Sequence, residues 1–306
     1  MAPIEPLTDQ QVDQLLQSTS RTFALSIPLL PPAERREVGL AYLVFRIADT
    51  YEDAELLGRA ARIAGLQSFE ACFETPSPAQ WSEFAQQSLR QPPSENADYN
   101  RLVAATPQVL CSLAACRHDA GEIVTRYATA SIHGMIQSLQ SGDTQGVLQF
   151  QSIDQLRRYC YFVAGVVGEM LTELFLLRLD DKQAAGTLLP LARDFGEGLQ
   201  LVNILKDSRD DATQGRCYLP GDWSREAIME LARGDLRRAA AYVDALRSLG
   251  APDGYIEFSQ LPLELAEATL DRLATHGPGA KVSRDQVAAI MAKLGSRSTS
   301  TADIRS

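Results

Sequence analysis

The chain has 306 residues, 45% hydrophobic and 22% charged, values of an ordinary globular protein able to bury a substantial core. Its formal net charge of −10 argues against a nucleic-acid partner, which calls for a basic stripe, and against electrostatic docking on anionic lipid. Cys72, Cys111, Cys116, Cys160 and Cys217 are scattered, odd in number and without a C-x-x-C, which fits reduced thiols in a cytoplasmic protein. The three histidines, His118, His133 and His276, are too dispersed in sequence to suggest a zinc site.

Taken in chain order, the opening "MAPIEPLTDQ" has neither a basic n-region nor an apolar segment, so no signal peptide is expected. Pro31-Pro32 and Glu34 then suit a helix start, and Val38, Tyr42, Phe45 and Ala48 or Asp49 follow at helical spacing. "TPSPAQ" (75–80) and "QPPSENADYN" (91–100) read as helix–helix connections. Residues 102–139 read as one or two helices, 153–179 as one helix and 188–210 as another. The apolar run 161–179 is interrupted by Glu169, Thr172, Glu173 and Arg178, which suits a buried core helix better than a membrane span. The segment 211–223 is expected to be a loop, with helices at 224–249, 258–275 and 284–294 and a frayed polar tail. No strict two-residue alternation stands out, so the expectation is a single all-α domain over residues 1–306.

Two patches carry candidate chemistry. In "VFRIADTYEDAE" (44–55), Asp49 and Asp53 are four apart with Glu52 alongside, directly after an apolar run. In "GLQLVNILKDSRDDATQGR" (198–216), Asn203, Asp207 and Asp211 form a second ladder at the same spacing. Like charges four apart on a helix repel by roughly 0.2–0.5 kcal/mol per pair. One such pair is usually a solvated face; two matched pairs point to a shared task. Mg²⁺, with Mn²⁺ as a substitute, prefers oxygen ligands and is held by one or two carboxylates plus substrate phosphates. A cation between the carboxylates also relieves their repulsion. Arg21, Arg46, Lys206 and Arg216 read singly as surface ion pairs and together as a diphosphate cradle.

These motifs resemble the squalene/phytoene synthase family, and within it the squalene synthases, over roughly residues 15–294. "SRTF" (20–23) is similar to the family's substrate flap, and "RIADTYED" (46–53) to its first aspartate-rich motif. "YCYFVAGVVGEM" (159–170) is similar to its central signature, and "GLQLVNILKDSRDDATQGRCYLP" (198–220) to its second aspartate-rich motif and loop. The resemblance implies an isoprenoid-synthase helical bundle with a central cavity, joining two farnesyl diphosphates head to head through presqualene diphosphate. It implies metal binding by Asp49, Glu52, Asp53, Asn203, Asp207 and Asp211. Asp49, Asp53, Asp207 and Asp211 become catalytic on this reading, with Tyr159 assisting proton transfer. Ser20, Arg21, Phe23, Tyr42, Arg46, Gln200, Asn203, Lys206 and Arg216 become substrate contacts. The small residues Ala164, Gly165 and Gly168 fit two readings, close approach of an isoprenoid chain or of another helix.

The same resemblance bears on the product. The stretch 258–291 resembles that of reducing squalene synthases, in which a basic loop contacts NADPH. Lys281 matches one basic position, while Ser283 stands at the next with Arg284 shifted by one. Arg21, Arg46, Lys206, Lys281 and Arg284 are therefore the candidate NADPH contacts, in a site without a G-x-G-x-x-G. A dehydrosqualene, phytoene or presqualene diphosphate synthase is the alternative. The polar C-terminal tail leads us to expect a soluble bacterial type. A monomer is expected, and so greasy a product suggests transient contact at a membrane surface for its release.

Overall fold

The computed structural model describes residues 3–20, 22–142, 148–179, 181 and 183–302. The fold is all-α, as expected, with strand pairing limited to one two-residue ladder among the described residues. The chain forms two compact units, Met1–Gly142 and Asp143–Ser306. Arg21 lies outside the described residues.

In the first unit, α1 (Asp9–Thr19) is followed by α2 (Phe23–Ser26), a 3₁₀ turn (Ile27–Leu29) and α3 (Pro32–Glu52). Then come α4 (Arg59–Glu74), α5 (Pro78–Arg90), α6 (Ala97–Ala104), α7 (Thr106–Ala114) and α8 (His118–Ser141). Local chemistry starts several of these. Thr8 and Gln11 make a capping box on α1, Ser77 caps α5 and Asn96 caps α6. The central element is α3, which packs on α1, α4, α6, α7 and α8 and fully buries Leu40, Leu43, Val44 and Ile47. The one or two helices expected over 102–139 are three, beginning earlier, at Ala97. Pro107 explains one break, because it has no N–H for the carbonyl of Val103. The Thr106 hydroxyl donates to that carbonyl instead, at 2.6 Å.

In the second unit, β1 (Leu148–Gln149) pairs in parallel with β2 (Arg216–Cys217), Leu148 opposite Arg216. Between them run α9 (Ile153–Cys160), a π-helical turn (Tyr161–Gly165), α10 (Val166–Leu176) and α11 (Ala184–Thr213). α12 (Arg225–Ser248), α13 (Asp253–His276) and α14 (Arg284–Ala302) complete it. The helix expected to run unbroken over 153–179 therefore holds a π turn and ends at Leu176. α11 extends to Thr213, so the loop expected from 211 starts later; α13 begins earlier, at Asp253, and α14 continues past Leu294 to Ala302.

By length and composition, the run Ile153–Leu176 is apolar enough to cross a membrane. It packs as core instead, burying Val166, Met170, Leu174 and Phe175. The role of its small residues is settled by α11. A Cβ on Gly168 would overlap the carbonyl of Ala192, and one on Gly196 would overlap that of Ala164. The glycines let two backbones meet, the helix-packing reading of the two.

Candidate active site

In the first unit α3 gathers five of the expected residues. Tyr42 donates its hydroxyl proton to the carbonyl of Thr19 at 2.8 Å and accepts from Arg46 Nε and Nη2 at 3.1 and 3.0 Å. The Arg46 guanidinium lies 5.5 Å from the Tyr42 ring centre and 5.6 Å from that of Tyr99, a residue of α6 that the sequence did not single out. Phe23 packs on Tyr42 with ring centres 5.6 Å apart. Ser20 is committed to the backbone, accepting from the N–H groups of Phe23 and Ala24 at 3.0 and 3.2 Å.

Asp49 lies 3.6 Å from Arg46 Nη1. Burial pushes its carboxyl up to about 6, against the pull of Arg46 and with the help of Asp53's charge. Burial would lower Arg46, but Asp49, Tyr42 and Tyr99 outweigh it and hold the guanidinium charged. Asp53 is exposed at the end of α3, its N–H donating to the Asp49 carbonyl at 2.8 Å. Glu52 is only 6% exposed, so burial sets it apart from Asp53.

In the second unit Gln200, Asn203 and Asp207 follow at spacings of three and four along α11, with Lys206 next to Asp207. Lys206 Nζ donates to Asn203 Oδ1 at 3.2 Å and pairs with Asp207 Oδ2 at 3.2 Å. One turn on, Asp211 meets Arg216 Nη2 at 3.4 Å. The β1–β2 ladder places Phe150 and Tyr218 beside Tyr159. Tyr159 is buried and stacks on Tyr218, ring centres 4.8 Å apart, with its hydroxyl donating to that of Tyr218 at 3.3 Å.

The 277–283 loop is fastened to α11, beside the aspartate ladder. Gly277 and Gly279 have φ of +78° and +84°, and the Gly279 N–H donates to the carbonyl of Lys206 at 2.8 Å. Lys281 and Arg284 are exposed at its end. Ser283, standing where a basic residue was expected, is used by the fold. Its hydroxyl accepts from Gln286 N at 3.2 Å while its own N–H donates to Gln286 Oε1 at 3.1 Å, a capping box for α14.

The sequence profile described as squalene/phytoene synthase matches residues 16–289. The chain belongs to the squalene/phytoene synthase family. It is 29% identical over 238 residues to a 15-cis-phytoene synthase of Pantoea ananas, covering 73% of this chain and 68% of that one. It is 28% identical over 280 residues to a squalene synthase of Yarrowia lipolytica, covering 84% of this chain and 60% of that protein's length. In fold it is similar to TcSQS solved with the ligand BPH1237, at a TM-score of 0.74, 23% identity and 93% and 85% coverage of the two chains. Membership of the squalene/phytoene synthase family covers both names.

The donor chemistry of this family member fits a hard cation. Asp49 with Asp53 and Asp207 with Asp211 are oxygen donors one turn apart, and Mg²⁺ needs only one or two carboxylates when phosphates and waters complete its shell. Among the described residues, no three His, Cys, Asp or Glu side chains form a metal-holding group by themselves.

Sequence reasoning missed a buried charge network in the second unit. Arg157 of α9 grips Asp235 of α12 with both prongs, Nη2–Oδ1 being 2.9 Å, and reaches Glu197 Oε2 of α11 at 3.0 Å. Arg193 donates to the other Glu197 oxygen and lies 4.7 Å from the Tyr161 ring centre. Burial raises both carboxyls, opposed by their arginines. One local signal existed: Glu197 falls on the stripe of Leu201 and Leu205, both fully buried.

Proposed function

We propose that the protein is a Mg²⁺-dependent squalene synthase, a cytoplasmic prenyltransferase that joins two farnesyl diphosphates head to head and reduces the product with NADPH. The observation that carries this reading is the repeated arrangement of two aspartates one turn apart beside an arginine: Asp49 and Asp53 with Arg46, Asp207 and Asp211 with Arg216. Magnesium bound by these carboxylates would neutralise the diphosphate and make it a better leaving group. Arg46 and Arg216 would hold diphosphate oxygens with their forked donors. Loss of the first diphosphate leaves an allylic cation, which the double bond of the second substrate attacks. Closing the cyclopropane of presqualene diphosphate releases a proton, which Tyr159 would pass along its hydrogen bond to Tyr218. Phe162, Val163, Val166 and Val167 would keep water from the cation.

The reducing step is favoured by the Gly279 bond to Lys206, which keeps the loop carrying Lys281 against the second aspartate ladder. Loss of the second diphosphate, from presqualene diphosphate, would leave a cation that rearranges, and NADPH held by Lys281 and Arg284 would supply the hydride that quenches it, becoming NADP⁺. A second reading, a non-reducing relative making dehydrosqualene or phytoene, is favoured by Ser283 standing in place of a basic residue. Incubating the purified protein with farnesyl diphosphate and Mg²⁺, with and without NADPH, separates them. Squalene formed only with NADPH supports the first reading; the same lipid product in both incubations, or phytoene alone from geranylgeranyl diphosphate, overturns it.

A further inference from the structure

Two carboxylates of the second unit outside the aspartate ladder are almost wholly buried. Glu197 is 1% exposed and Asp235 is 4% exposed. Both are bound by one guanidinium, Arg157, which thereby ties α9 to α11 and α12. Leaving either carboxylate buried without its cation is strongly unfavourable, so α9 has one well-defined seat. Position along α9 gives that seat a consequence. Residues two apart on an α-helix point about 200° apart. Arg157 therefore anchors one side of α9 while Tyr159 stands on the other, stacked on Tyr218. Cys160, three after Arg157 and completely buried, lies on the anchored side, within electrostatic reach of Glu197, Arg157 and Asp235. The π turn begins immediately afterwards, at Tyr161, and its far end is fixed by the close approach of Gly165 to Glu197. Glu197 thus accepts from Arg157 at one end of the segment that carries Tyr159 and leaves little room for a Cβ on Gly165 at the other, and Arg193 binds it from the outer side.

We propose that Arg157, Glu197 and Asp235 are positioning residues that fix Tyr159 against Tyr218 for the proton transfer of the condensation. The inference rests on the role given to Tyr159 under the proposed function. The test is a double-mutant cycle of Asp235→Asn and Tyr159→Phe, with kcat and KM for farnesyl diphosphate measured at matched concentrations of folded protein. Asp235→Asn keeps the shape and removes the charge. It is expected to lower kcat by about tenfold with KM changed less than about twofold, and to have no further effect in the Tyr159→Phe background. Peptide-resolved alkylation of Cys160 should accelerate in the same variant, reporting loosening of α9. If Asp235→Asn does not fold, Arg157→Lys, which keeps the charge and loses the fork, takes its place in the cycle. A variant that loses only thermal stability, or whose kcat effect multiplies with that of Tyr159→Phe, overturns the positioning role. Full activity of Tyr159→Phe alone identifies the failure as that of the Tyr159 assignment and removes the inference with it.

Discussion

Asp49 offers a test in which stability and function move in opposite directions. Burial raises its carboxyl from 3.8 to about 6, so the folded protein binds this proton more tightly than the unfolded chain does. Between those values the native state carries more protons, and stability falls as pH rises from about 4 to about 6. At neutral pH the whole penalty is present. The shift corresponds to about 3 kcal/mol at roughly 1.4 kcal/mol per pH step. The side chain keeps 32% of its surface exposed and its charge is partly screened, which reduces the figure to about 1–2 kcal/mol. Asp49→Asn removes the charge and keeps the shape. Its melting temperature should equal that of the parent near pH 4 and exceed it by about 2–6 °C above pH 7. Turnover should be lost. Mg²⁺ with inorganic diphosphate should raise the melting temperature of the parent at neutral pH and leave the variant unmoved. Differential scanning fluorimetry across this range reads both effects. A difference that is flat with pH, or a parent more stable than the variant at neutral pH, would show that the Asp49 charge is not destabilising in the fold.

Other consequences follow from the same geometry. Asp207→Asn and Asp211→Asn should each slow diphosphate release from farnesyl diphosphate by about 100-fold or more, measured with a coupled phosphate assay. Gly168→Ala forces a methyl into the Ala192 carbonyl and should cost about 1–3 kcal/mol, read as a lower urea midpoint. Gly279→Ala must hold a φ of +84°, at a local cost of about 1–2 kcal/mol. It should raise the KM for NADPH several-fold while the NADPH-free formation of presqualene diphosphate keeps its rate.

Much of the fold was legible because helices announce themselves locally. The Pro31-Pro32 start of α3 is a one-turn signal, and it falls where the helix begins, while the Ser77 and Asn96 caps lie within stretches that read only as connections. The aspartate ladders were legible for the same reason, since spacing of four on a helix is enough to align them. What escaped depends on partners distant in the chain. Arg157, Glu197 and Asp235 are separated by 40 and 78 residues, and each alone resembles a surface charge. The glycines of α10 and α11 carried two readings until Ala164 and Ala192 were found opposite them. Asp53 and Glu52 are neighbours in sequence, and only tertiary packing decides that one is exposed and the other buried. Ser283 read as a departure from a basic loop, and its capping box with Gln286 gives the fold's reason for a serine there.

A condensation followed by reduction has a distinctive stoichiometry. Inorganic diphosphate released per lipid product should be counted in incubations with farnesyl diphosphate and Mg²⁺, with and without NADPH. Two diphosphates are expected for each squalene when NADPH is present and one for each presqualene diphosphate when it is absent. A ratio that does not respond to NADPH contradicts condensation followed by reduction.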